Sequence, residues 1–81
     1  MSSLEINKIN PGEVFIRVNA PIIDDDLATI LRDKLHMLLE KGVNNVTLSL
    51  EKVDEIGSSG IGKILLFYKR LSDAGGSLRV I

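Results

Sequence analysis

An α/β fold with a small, mixed, mostly parallel sheet is expected from three features of the chain. Short stretches of alternating apolar residues and longer helical stretches follow one another in the order β-β-α-β-α-β, the pattern of strands joined by crossover helices. A tight-turn sequence separates the first two strands, which makes them an N-terminal β-hairpin. The apolar residues are aliphatic: of 81 residues 44% are hydrophobic and 4% aromatic, so the core must be built of Ile, Leu and Val. The length suits one small domain spanning residues 1–81.

Each element has its own warrant. Leu4, Ile6 and Ile9 fall among polar neighbours, as on a half-buried strand. Asn10-Pro11-Gly12-Glu13 reads as the turn, with Pro presetting one dihedral and Gly supplying the permissive one. Val14, Ile16 and Val18 alternate with Phe15, Arg17 and Asn19 in the return strand. Asp24-Asp25-Asp26 opens the first helix, where carboxylates cap free N–H groups and complement the positive end of the dipole. Leu27, Ile30, Leu31, Leu35 and Leu38 form its apolar stripe, and Lys41-Gly42 its stop. Val46 to Leu50 alternates as the next strand. A second helix runs from about Ser58 to about Asp73, with Ile61, Ile64, Leu65, Tyr68 and Leu71 as its apolar pattern, and stops at Gly75-Gly76. Leu78-Arg79-Val80-Ile81 is the last strand.

Composition narrows the function classes. The formal net charge is −1, and no basic cluster interleaves with aromatics, so a nucleic-acid partner is not expected. Cysteine is absent, which excludes disulfides and thiolate metal sites, and a lone histidine, His36, makes no zinc site. No cofactor is expected. No apolar run reaches transmembrane length, and Met-Ser-Ser-Leu-Glu carries no signal-peptide pattern, so membrane insertion is not expected and a cytoplasmic domain is. The three aspartates read as a solvated helix start rather than a metal site, and His36 as a partly buried or surface residue rather than a catalytic one.

The informative stretch is Val46 to Gly62. Ser58 and Ser59 stand where a loop becomes a helix, a position whose free N–H groups and dipole favour negative charge. One of these serines can act as the N-cap, and a phosphoserine there would add nearly two negative charges at a place able to hold them. Gly57 and Gly60 read as glycines of a tight loop and close packing, and Gly62 as a glycine brought near the sheet or a partner backbone. Gly57 to Lys63 also fits most of a phosphate-binding loop, G-x-x-x-x-G-K, but Ile64 stands where that motif needs Ser or Thr. Lys63, Lys69 and Arg70 read as a solvated helix face or as a rim for an acidic partner.

Gly57-Ser58-Ser59-Gly60-Ile61-Gly62, at the start of a helix and after a strand, resembles the D-S-[ST]-G-[LI]-G hallmark of STAS domains, the family that includes bacterial anti-sigma factor antagonists. Gly75-Gly76 before Leu78-Arg79-Val80 also fits, and the layout corresponds over essentially the whole chain. The resemblance implies a regulatory protein and not an enzyme. It implies a switch that binds a serine-kinase anti-sigma factor and is regulated by phosphorylation of Ser58, with Ser59 second. The implied partner-binding residues are Asp54, Glu55, Ile56, Gly57, Ser58, Ser59, Gly60 and Lys63. Gly57 replaces the family aspartate, which leaves open a non-phosphorylated scaffold of the stressosome type or a transporter-associated subunit. A nucleotide-binding module is the remaining alternative. The family usually adds a further strand and a C-terminal helix. Their apparent lack here would leave apolar surface uncovered, so a homodimer or exchanged-segment assembly is expected.

Overall fold

The computed structural model describes residues 3–81. Met1 and Ser2, part of the stretch read for a leader pattern, lie outside the described residues. The elements are β1 (Leu4–Asn10), β2 (Glu13–Val18), β3 (Ile22–Ile23), α1 (Asp25–Glu40), β4 (Asn45–Ser49), β5 (Glu55–Ile56), α2 (Ser58–Asp73) and β6 (Ser77–Val80). A four-stranded sheet has the order β1-β2-β4-β6. Its first pair is antiparallel and the other two are parallel, so the expected mixed, mostly parallel sheet with two helices is present. The paired two-residue strands β3 and β5 are an addition to the sequence reading.

Strand alternation decides which face is covered. Val14, Ile16 and Val18 of β2 and Val46 and Leu48 of β4 are buried on one face. They meet Leu27, Ala28, Leu31, Leu35 and Leu38 of α1 and Phe67 and Leu71 of α2 in one core, aliphatic as expected except for the buried ring of Phe67. The crossovers β2–α1–β4 and β4–α2–β6 step in the same direction along the sheet, which sets both helices on that face and against each other. The other face carries Phe15 with Arg17 over its ring, and Arg17 reaches Glu5 at 3.9 Å.

Several local expectations change. Ile9 is exposed because the β1–β2 register shifts between Lys8 and Asn10. Gly12 has no positive φ; Asn10 Oδ1 accepts from its N–H at 3.0 Å, and its carbonyl accepts from the N–H groups of Asn44 and Asn45. Ile30 is half exposed, on the flank of α1 rather than in its buried stripe.

The helix ends hold as read in three of four places. Asp24 caps α1, its Oδ1 accepting from Leu27 N–H at 2.9 Å. Both helices end in the same motif: Val43 N–H donates to Leu38 O and Gly42 N–H to Leu39 O, while Gly76 N–H donates to Leu71 O and Gly75 N–H to Ser72 O. Gly42 and Gly75 take positive φ, +90° and +81°, at those turns. The fourth end, the start of α2, differs from the expectation and is the site described next.

Candidate functional site

The loop into α2 is built by β3 and β5. Pro21 O accepts from the N–H groups of Asp54 (2.8 Å) and Glu55 (3.1 Å), Ile22 and Ile23 pair with Glu55 and Ile56, and Ile23 O accepts from Gly57 N–H at 3.0 Å. This stitching fixes where α2 begins. Gly60, buried in the first turn, lets the helix close on the stitch: a Cβ there would stand 3.0 Å from Ile56 Cγ2 and 3.1 Å from Ile23 Cγ2. Close packing is therefore the role of Gly60. Gly62 does not approach the sheet, since a Cβ there would meet nothing within 4 Å in this chain.

The N-cap is Gly57, not a serine, and it offers no side-chain acceptor. Ser58 and Ser59 are the first two helical residues. The first main-chain bond of the helix runs from Ile61 N–H to Gly57 O at 3.1 Å, so the N–H groups of Ser58, Ser59 and Gly60 head the helix without an acceptor among the described residues. No acidic residue lies in the first turn of α2.

The two serines are not equivalent. Ser59 is half-buried, and its Oγ accepts from Lys63 Nζ, one turn on, at 2.6 Å. Ser58 is exposed, and its hydroxyl has no partner among the described residues. Lys63 is half-buried rather than outward, whereas Lys69 and Arg70 are exposed, and Arg70 Nη1 lies 3.3 Å from His36 Nε2 on α1.

Ser58 begins an exposed helix face that continues, at helical spacing, through Ile61, Gly62 and Leu65. The expected apolar pattern of α2 thus divides in two. Ile64 is half-buried and Leu71 buried, together with Gly60 and Phe67, but Ile61, Leu65 and Tyr68 are exposed, Leu65 at 61%. Asp54 and Glu55 are exposed on the approach, and Ile56 and Gly57 are half-buried. Ile22, not singled out from the sequence, is exposed opposite Glu55 and adds an apolar edge to the loop. The signal was present in Ile22-Ile23, but two residues carry no readable period.

The phosphate-loop alternative meets a geometric obstacle. That motif needs an open loop whose amides surround a phosphate, and here Ser58 to Lys63 is already α-helix.

A mixed sheet with both helices on one face, and a serine pair opening the second helix, defines a class of small α/β domain. The STAS domain model matches residues 6–81, and the chain belongs to that family. The unphosphorylated form of the anti-sigma factor antagonist SpoIIAA superposes with a TM-score of 0.83 at 19% identity, covering 95% of this chain and 70% of that one. The Bacillus cell fate determinant SpoIIAA in its phosphorylated form gives 0.80 at 20% identity, covering 93% and 68%. A structure of Mglu gives 0.81 at 25% identity over 96% of this chain, but this chain spans only 19% of that protein's length. No curated protein matches the sequence. No helix among the described residues is long and apolar enough to cross a membrane.

Proposed function

We propose that this chain is an anti-sigma factor antagonist. In this reading it is a single-domain, non-enzymatic, cytoplasmic switch that binds a serine-kinase anti-sigma factor through Asp54 to Gly60, with Lys63, and along the exposed face of α2. Phosphorylation of Ser58 ends that binding. The observation that carries the reading is the asymmetry of the two serines at an uncapped helix start. Ser58 presents a free, exposed hydroxyl, while that of Ser59 is held by Lys63.

The physics assigns opposite signs to fold and partner. A phosphate on Ser58 faces free N–H groups and the positive end of the α2 dipole, so the domain tolerates it. At a protein interface the same dianion must lose water or meet like charge, and the complex does not tolerate it. The test is a calorimetric titration of wild type and Ser58→Glu against a candidate serine-kinase anti-sigma factor. The expected result is a loss of about tenfold or more in affinity for the variant; equal affinities would overturn the reading.

Gly57 favours a second reading, a STAS scaffold that is not phosphorylated. It lacks the family aspartate, and among the described residues no side chain caps α2 in its place. A stable complex whose Ser58 never receives phosphate would favour the scaffold.

A further inference from the structure

We propose that the groove between β1 and α1 is a second binding surface, which docks an acidic amphipathic helix of a partner protein. It lies on the flank of α1 that faces away from α2. The opposite flank, marked by His36, is the one that meets Arg70 of α2. Two adjoining hollows of about 300 Å³ each share Ile6 as a common wall. Ile30 stands over one hollow and Met37 over the other, and all three apolar side chains are exposed, Ile30 at 50%.

Charge identifies the occupant. Lys34 lines one hollow, and Lys8 and Lys41 line the other. No carboxylate is among the described residues lining either, although the whole chain is net −1. Asp33, next to Lys34 in sequence, is held by Arg32 at 3.0 Å. Three ammonium groups therefore rim an apolar trough, and a segment that fills it must bring both apolar side chains and carboxylates.

Spacing sets the form of that segment. Ile30, Lys34, Met37 and Lys41 fall at helical intervals along one flank and span about 16 Å of helix axis. A partner helix of about three turns, laid alongside, repeats the same intervals with the opposite charge. A second copy of this chain is disfavoured, because a symmetric pairing of the groove with itself brings lysine against lysine. A bilayer is disfavoured because the apolar residues line hollows rather than form a ridge that could insert.

The test uses a twelve-residue amphipathic peptide of leucine and glutamate, titrated into the labelled chain while amide shifts are followed by NMR. Saturable shifts are expected at Ile6, Lys8, Ile30, Lys34, Met37 and Lys41. Affinity should fall about tenfold in the K34E/K41E variant and for a leucine–lysine peptide of the same pattern. Both substituted positions are exposed, so the variant should keep the remaining wild-type amide shifts. Three results would overturn the proposal: no saturable binding at millimolar peptide, equal binding of the two peptides, or shifts confined to the start of α2. Lysine-dependent sedimentation with phosphatidylglycerol vesicles, without peptide binding, would overturn it in favour of a membrane surface.

Discussion

Ser58 and Ser59 are chemically identical neighbours, and the fold separates them. The separation comes from Lys63, one turn further on, whose ammonium donates to Ser59 Oγ at 2.6 Å. Ser58 is left exposed at a helix start with no acidic residue in its first turn. A charge placed there has a computable sign: Ser58→Glu should stabilise the free chain by about 0.3–1 kcal/mol in urea unfolding, while weakening the proposed complex. A variant that loses stability and binding together would mean the substitution damages the fold. At the other helix, Asp24→Ala removes the acceptor for Leu27 N–H and should cost about 1 kcal/mol, measured the same way. That cap was legible because Asp is a strong capping type and the apolar stripe begins just after it. The α2 cap was not legible. Sequence favours serine at an N-cap, but the bond from Gly57 N–H to Ile23 O moves the helix start back by one residue and puts both serines inside it.

At the scale of elements, α2 shows what periodicity can and cannot resolve. The helix carries more apolar residues than one face can hold, so Ile61, Leu65 and Tyr68 were as plausible a core stripe as the residues that are in fact inward. What decides is Gly60, where a Cβ would stand 3.0 Å from Ile56 Cγ2 and 3.1 Å from Ile23 Cγ2. The short strands β3 and β5 were invisible for a related reason: two residues have no period, and their pairing is non-local. The glycines of α2 and its exit give paired predictions of opposite sign. Gly62→Ala adds a methyl into open space on an exposed helical position and should stabilise by about 1 kcal/mol. Gly76→Ala drives a methyl into the backbone of Asn44 and should destabilise by about 1–3 kcal/mol or more, with a lower thermal midpoint. If Gly62→Ala proved destabilising, α2 would have to pack against something at that face.

At the scale of the molecule, the order β-β-α-β-α-β was legible because each long element has its own period and its own stop. The strand order was not contained in any one of them. It follows from the two parallel crossovers, which set β4 beside β2 and β6 beside β4 in one direction along the sheet and so gather both helices on one face. One consequence is that the chain presents two unlike surfaces. The start of α2 sets the apolar Ile22 and Ile61 near the Ser58 hydroxyl and offers free N–H groups. The β1–α1 groove is apolar and rimmed by Lys8, Lys34 and Lys41. The first surface was found in the sequence from a six-residue motif. The second was not, because its residues lie on two elements far apart in the chain and none belongs to a motif. A switch at Ser58 that leaves the groove unchanged would let one domain release one partner and keep another. NMR titration of the chain carrying Ser58→Glu should accordingly give the same affinity for the leucine–glutamate peptide as wild type.

The switch at Ser58 is tested most directly by phosphosite mapping, with intact-mass and peptide mass spectrometry, after incubation with a candidate serine-kinase anti-sigma factor and ATP. A single phosphate on Ser58, with Ser59 unmodified, is expected. No phosphate, or phosphate on Ser59 alone, would contradict it.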